Sequence, residues 1–113
     1  MANKKHVELL KRGANVWNQW RSEHPKTRPD LIGARFSGVD LRGAILSTAY
    51  LSTADFRGAF LSGAFFVNAD LFRANLTGAA LDGANLGDAI LSVADLFRAN
   101  LTRALQLHFL GDR

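Results

Sequence analysis

Pro29-Asp30-Leu31-Ile32-Gly33, Ala34-Arg35-Phe36-Ser37-Gly38, Val39-Asp40-Leu41-Arg42-Gly43: these three consecutive blocks set the period of the chain. The division continues without a gap to Ala94-Asp95-Leu96-Phe97-Arg98 and Ala99-Asn100-Leu101-Thr102-Arg103, fifteen blocks in all. The third position is Leu in twelve blocks and Phe at Phe36, Phe56 and Phe66. The first position is Ala in thirteen, the exceptions being Pro29 and Val39. Seven of the ten glycines stand at the fifth. A fixed period of this kind marks stacked units that share one core.

The period decides the backbone. On an α-helix five residues advance about 500°, so successive leucines would spread around the axis. On one long strand side chains alternate faces, and five is odd, so successive leucines would fall on opposite faces. A short extended segment that turns a corner every five residues meets neither objection. First and third positions then point inward and second and fourth outward. The fifth sits at the corner, where Gly supplies the dihedrals that turns need.

The pattern Ala-(Asp/Asn)-Leu-X-Gly resembles that of the pentapeptide repeat family, over about two-thirds of the chain. The resemblance implies an all-β solenoid: a right-handed quadrilateral β-helix of four blocks per coil, just under four coils tall. Four inward columns follow from it. Leu31, Leu51, Leu71 and Leu91 form the first; Phe36, Phe56, Leu76 and Leu96 the second. Leu41, Leu61, Leu81 and Leu101 form the third, and Leu46, Phe66 and Leu86 the fourth.

Open solenoid ends expose core and unpaired backbone, so they need caps. Residues 1–28 are read as an amphipathic capping α-helix and linker, 29–103 as the solenoid, and 104–113 as a C-terminal lid. On a helical wheel over residues 3–20, Val7, Leu10, Ala14 and Trp17 share one side of an apolar half, with Leu9, Val16 and Trp20 on its other side. His6 and Gly13 lie between them. Lys4, Lys5, Glu8, Lys11, Arg12, Asn15, Asn18 and Gln19 fill the solvent half. Asn3 is the expected N-cap, and Gly13 the expected point of close approach to another backbone. The run from Leu10 to Arg21, followed by Arg28-Pro29-Asp30-Leu31, resembles the leader that precedes the repeats in many cyanobacterial pentapeptide proteins. Ala104-Leu105 begins a sixteenth block that Gln106 ends. Leu107, Phe109 and Leu110 then supply the lid or a dimer contact.

The net charge of +4 divides unevenly: residues 1–28 carry +5, residues 29–103 carry −1 and the last ten are neutral. The solenoid is therefore electrostatically bland. With no cysteine there is no thiolate site. The histidines, at 6, 24 and 108, stand outside the repeats and far apart, a poor basis for a metal site. No insertion between blocks builds a cleft of convergent polar groups. Asp30, Asp40, Asp55, Asp70 and Asp95 share the second position with Asn75, Asn85 and Asn100, where local hydrogen bonding at corners accounts for them. The expectation is a non-enzymatic, cytoplasmic protein with no cofactor, metal or small-molecule substrate.

Two alternatives remain, the first implied by the resemblance to the family and the second read from the N-terminal residues. A quinolone-resistance branch mimics duplex DNA and binds gyrase, which requires a continuous acidic surface; a solenoid at −1 lacks one. The basic N-terminal helix could instead meet an anionic membrane or nucleic acid, although its apolar face is needed over the first coil. The favoured expectation is an interaction scaffold for another protein or a second copy. Large apolar residues at outward positions mark its surface: Ile45, Tyr50, Phe60 and Phe65 in second positions and Val67 in a fourth.

Overall fold

The computed structural model describes residues 2–106. Two helices, α1 (Lys4–Lys11) and α2 (Ala14–Glu23), precede the repeats. Asn3 caps α1, its side chain accepting from the N–H groups of Lys5 and His6. The single helix expected from the wheel is broken at Arg12-Gly13, and α2 runs three residues past its expected end. Gly13 takes φ 101° and ψ 169°, outside helical space. Its role differs from the expected one. No atom comes within 4 Å of where a Cβ would stand, so the dihedrals and not a close approach call for glycine.

From Pro29 the chain winds with a period of twenty. Parallel bridges pair Asp30 with Tyr50, Arg35 with Asp55, Asp40 with Phe60 and Ile45 with Phe65, and the register continues to Asn85 with Leu105. Each coil therefore has four sides of five residues, and each side meets the next coil through one bridge. We number the sides by their outward ladders. Asp30–Tyr50–Asp70–Ile90 is the first and Arg35–Asp55–Asn75–Asp95 the second; Asp40–Phe60–Ala80–Asn100 is the third and Ile45–Phe65–Asn85–Leu105 the fourth.

Every side ends in a turn closed by the next first-position N–H on the third-position carbonyl, as from Ala34 to Leu31 (3.1 Å) and Ala104 to Leu101 (2.9 Å). All fifteen fifth positions have positive φ, seven of them Gly and eight not: Thr48, Thr53, Asn68, Arg73, Asp88, Val93, Arg98 and Arg103. A turn with φ > 0 at its second central residue is of type II.

Inside, first-position Ala and third-position Leu or Phe close on each other. Leu31 through Leu91 of the third-position series are buried, whereas Leu96 and Leu101 in the last coil are half-buried. Phe36 and Phe56 stack at 5.5 Å between ring centroids, and Phe66 meets Phe56 edge-on at 6.3 Å. At the other end Leu10 and Trp17 are fully buried on the same core, with Val7, Leu9, Ala14 and Trp20 packed around them. The proposed lid residues Leu107, Phe109 and Leu110, and His108, lie outside the described residues.

Candidate interaction surfaces

The N-terminal junction is more polar than the wheel implies. Trp17 Nε1 donates to the Ile45 carbonyl (2.7 Å), and Asn18 accepts from the Ile45 N–H (2.8 Å) while donating to the Gly43 carbonyl (3.0 Å). Asn18 thus faces the solenoid, not solvent, because the break at Gly13 re-phases α2. Arg21 donates to the Ser47 carbonyl (2.7 Å), and burial holds its pKa below the usual arginine range. His6 Nδ1 accepts from the Asp30 N–H (3.0 Å) and the Asn3 N–H donates to the Asp30 carbonyl (3.0 Å). These groups pair the backbone that the first coil presents backward at Asp30 on the first side and at Ile45 and Ser47 on the fourth.

The five outward apolar residues are spread over three sides. Ile45, Phe65 and Val67 share the fourth, where Ile45 and Phe65 are bridge partners in adjacent coils. Phe65 is 44% exposed; Ile45 and Val67 are half-buried. Tyr50 lies on the first side and Phe60, 51% exposed, on the third, so these two face opposite directions. Tyr50 is partly occupied within the chain, with the Arg28 guanidinium 3.6 Å from its ring centroid. Arg28 Nε also donates to the Thr48 carbonyl. Sequence reasoning did not group Tyr50 with Ile32, Phe72 and Ile90, which are also exposed on the first side. Those four alternate between second and fourth positions from coil to coil, so no single block position singles them out.

The second side is polar except for Phe97, 63% exposed in the last coil. Asp55 takes both arms of the Arg57 fork, which holds its carboxyl below the ordinary aspartate range, and Asp40 and Arg42 repeat the contact on the third side. All eight second-position Asp and Asn side chains accept the N–H two residues on, from Asp30 to Ile32 through Asn100 to Thr102. These carboxylates are committed to local turns. Among the described residues no group of three or more His, Asp or Glu is placed to hold a metal ion, and no helix is long and apolar enough to cross a membrane.

A four-sided parallel coil with one Ala and one Leu or Phe per side pointing inward defines a β-solenoid of five-residue repeats. The chain belongs to the pentapeptide repeat family: the family's sequence model matches residues 30–47, 49–88 and 74–105 in eight copies. Its winding is accordingly that of a right-handed β-helix. Similar solved structures include two crystal structures of pentapeptide repeat proteins. A pentapeptide repeat protein of the Arabidopsis thaliana thylakoid lumen is 40% identical, with a TM-score of 0.68 over 70% of this chain and 55% of that one. The present chain thus spans about half the length of that relative. A pentapeptide repeat protein from Nostoc Pcc 7120 is 37% identical, with a TM-score of 0.64 over 77% of this chain and 74% of that one. No curated protein matches in sequence.

Proposed function

We propose that this chain is a non-enzymatic scaffold that docks another protein, or a second copy of itself, through apolar side chains at outward positions. The observation that carries the reading is the fourth side. There Phe65 stands exposed at a second position that eight other blocks fill with Asp or Asn, bridged to Ile45 and beside Val67. A large apolar side chain held on a rigid ladder loses little conformational entropy on binding, which favours interface hot spots. Phe60 and Tyr50 extend the surface around the two adjoining corners. The membrane reading of the helices has less support, because Leu10 and Trp17 are already buried on the core.

The test is the double variant Phe60→Ser, Phe65→Asn. Both side chains point outward, so the fold and its circular dichroism should be retained while self-association and partner capture are lost. Unchanged oligomeric state together with unchanged capture would remove the proposal.

A further inference from the structure

In the first coil, among the described residues, the fourth side is paired, the first is paired at Asp30 but not at the Ile32 carbonyl, and the second and third are left open. Between coils, second-position N–H groups point backward, as do second- and fourth-position carbonyls: Phe36 N–H donates to the Asp55 carbonyl (2.7 Å), Gly38 N–H to that of Arg57 (2.9 Å), and Asp55 N–H to that of Ala34 (2.9 Å). In the first coil the equivalent groups have no coil behind them. The helices supply partners on the first and fourth sides, through His6, Asn3, Trp17, Asn18 and Arg21. On the second and third sides, among the described residues, the N–H groups of Arg35 and Asp40 and the carbonyls of Arg35, Ser37, Asp40 and Arg42 make no hydrogen bond. All four residues are exposed.

Beside this edge run two open grooves. One of about 390 Å³ lies between α1 and residues 32–35, and one of about 590 Å³ between the α1–α2 junction and Asp40 and Arg42. Their walls are basic. Lys4, Lys11, Arg12 and Arg35 face Glu8, while Asp40 and Arg42 cancel in their own ion pair. We propose that this edge receives an acidic peptide segment of a partner protein, which pairs in parallel with residues 35–37, bends with the corner at Gly38 and pairs again with residues 40–42. The edge offers four carbonyls to two N–H groups, spaced as they are between coils, so a strand supplies the missing half of a ladder already in register. The surplus of cations selects acidic side chains on that strand. Cores on these sides are covered by the helices, so the segment contributes backbone and charge and not a new apolar layer. This surface is separate from the apolar fourth side and does not depend on it.

Binding is read by fluorescence anisotropy on the full chain with a labelled nine-residue peptide of alternating Glu and Thr. Its controls are the same peptide N-methylated at alternate amides and a nine-nucleotide thymidine oligomer. The peptide should bind with an affinity that falls as salt rises, and N-methylation should weaken it about tenfold, the loss of one to two net hydrogen bonds. Arg35→Glu should weaken it further. On binding, the Arg35 and Asp40 amides should become protected from hydrogen exchange. Equal affinity for the N-methylated peptide, or for the oligonucleotide, would reduce the surface to a general polyanion patch and overturn the proposal. So would unchanged exchange at those two amides.

Discussion

At the scale of the residue, each block uses its five N–H groups by a fixed rule. In block 54–58, first-position Ala54 closes a turn on Leu51, and second-position Asp55 donates back to the preceding coil. Third-position Phe56 and fifth-position Gly58 donate forward. That leaves the fourth, Arg57, whose N–H goes to the Asp55 side chain at 3.0 Å. The second-position Asp or Asn is therefore the partner for the one N–H that the ladder cannot use. The fifth position carries the opposite constraint, a positive φ that Val93 meets at 60° although it is β-branched. The residue is 64% exposed, so replacing it removes little packing. Val93→Asn should raise stability by about 1 kcal/mol by relieving left-handed strain, without the unfolded-state entropy that Gly would add. Urea unfolding of the two proteins checks this. No gain would show that the last coil does not hold Val93 in that conformation.

At the scale of the element, one of the bonds that join α1 to the first coil runs through a titratable group. His6 Nδ1 must lack a proton to accept from Asp30, and its pKa lies below the ordinary value chiefly because burial disfavours the cation, with the Asp30 carboxylate offsetting part of that. The unfolded chain then takes up the proton first, near pH 6.5. The contribution is complete above that pH and is lost progressively as pH falls below it. His6→Asn, with an acceptor oxygen in place of Nδ1, should flatten the stability profile between about pH 7 and 5 relative to the parent. Parallel profiles for the two proteins would show that the bond does not couple the helix to the coil. This element was also the least legible in the sequence. The repeat names its own geometry, because five-residue spacing excludes both regular structures, and the Ala and Leu columns leave one way to point inward. The helix wheel assumes one unbroken phase. Glycine can satisfy helical or left-handed dihedrals, so nothing in Gly13 itself announced the break, and Asn18 was assigned to the wrong side as a result. The apolar outward residues were legible as departures from the block pattern. Their division among three sides followed from the four blocks per coil that the family resemblance implies, with Phe60 and Tyr50 on the two faces adjoining Ile45 and Phe65.

At the scale of the whole molecule, a solenoid's two ends are complements of one another. On the second and third sides the last coil presents, unpaired among the described residues, the N–H groups of Leu96, Arg98, Leu101 and Arg103 and the carbonyls of Ala94 and Ala99. The first coil presents the carbonyls of Arg35, Ser37, Asp40 and Arg42 and the N–H groups of Arg35 and Asp40. On these two sides donors and acceptors match in number and order, and a copy added head to tail would set Asp95 beside Arg35, as Asp55 already bridges Arg35 within the chain. A heterologous contact of this kind does not close on itself and grows as a filament. The helices obstruct it, since Leu10 and Trp17 cover the core that the next copy's Leu96 and Leu101 would need to reach. Removing residues 1–28 should therefore yield ordered end-to-end oligomers that retain β-structure, their mass rising with concentration in light scattering. Adding Arg35→Glu to the truncated chain, which places two carboxylates at each junction, should shorten those oligomers. A truncated chain that stays monomeric and folded would show that the solenoid needs no cover at this end. Amorphous aggregation indifferent to Arg35→Glu would show that exposed core, and not the matched backbone edges, drives the association.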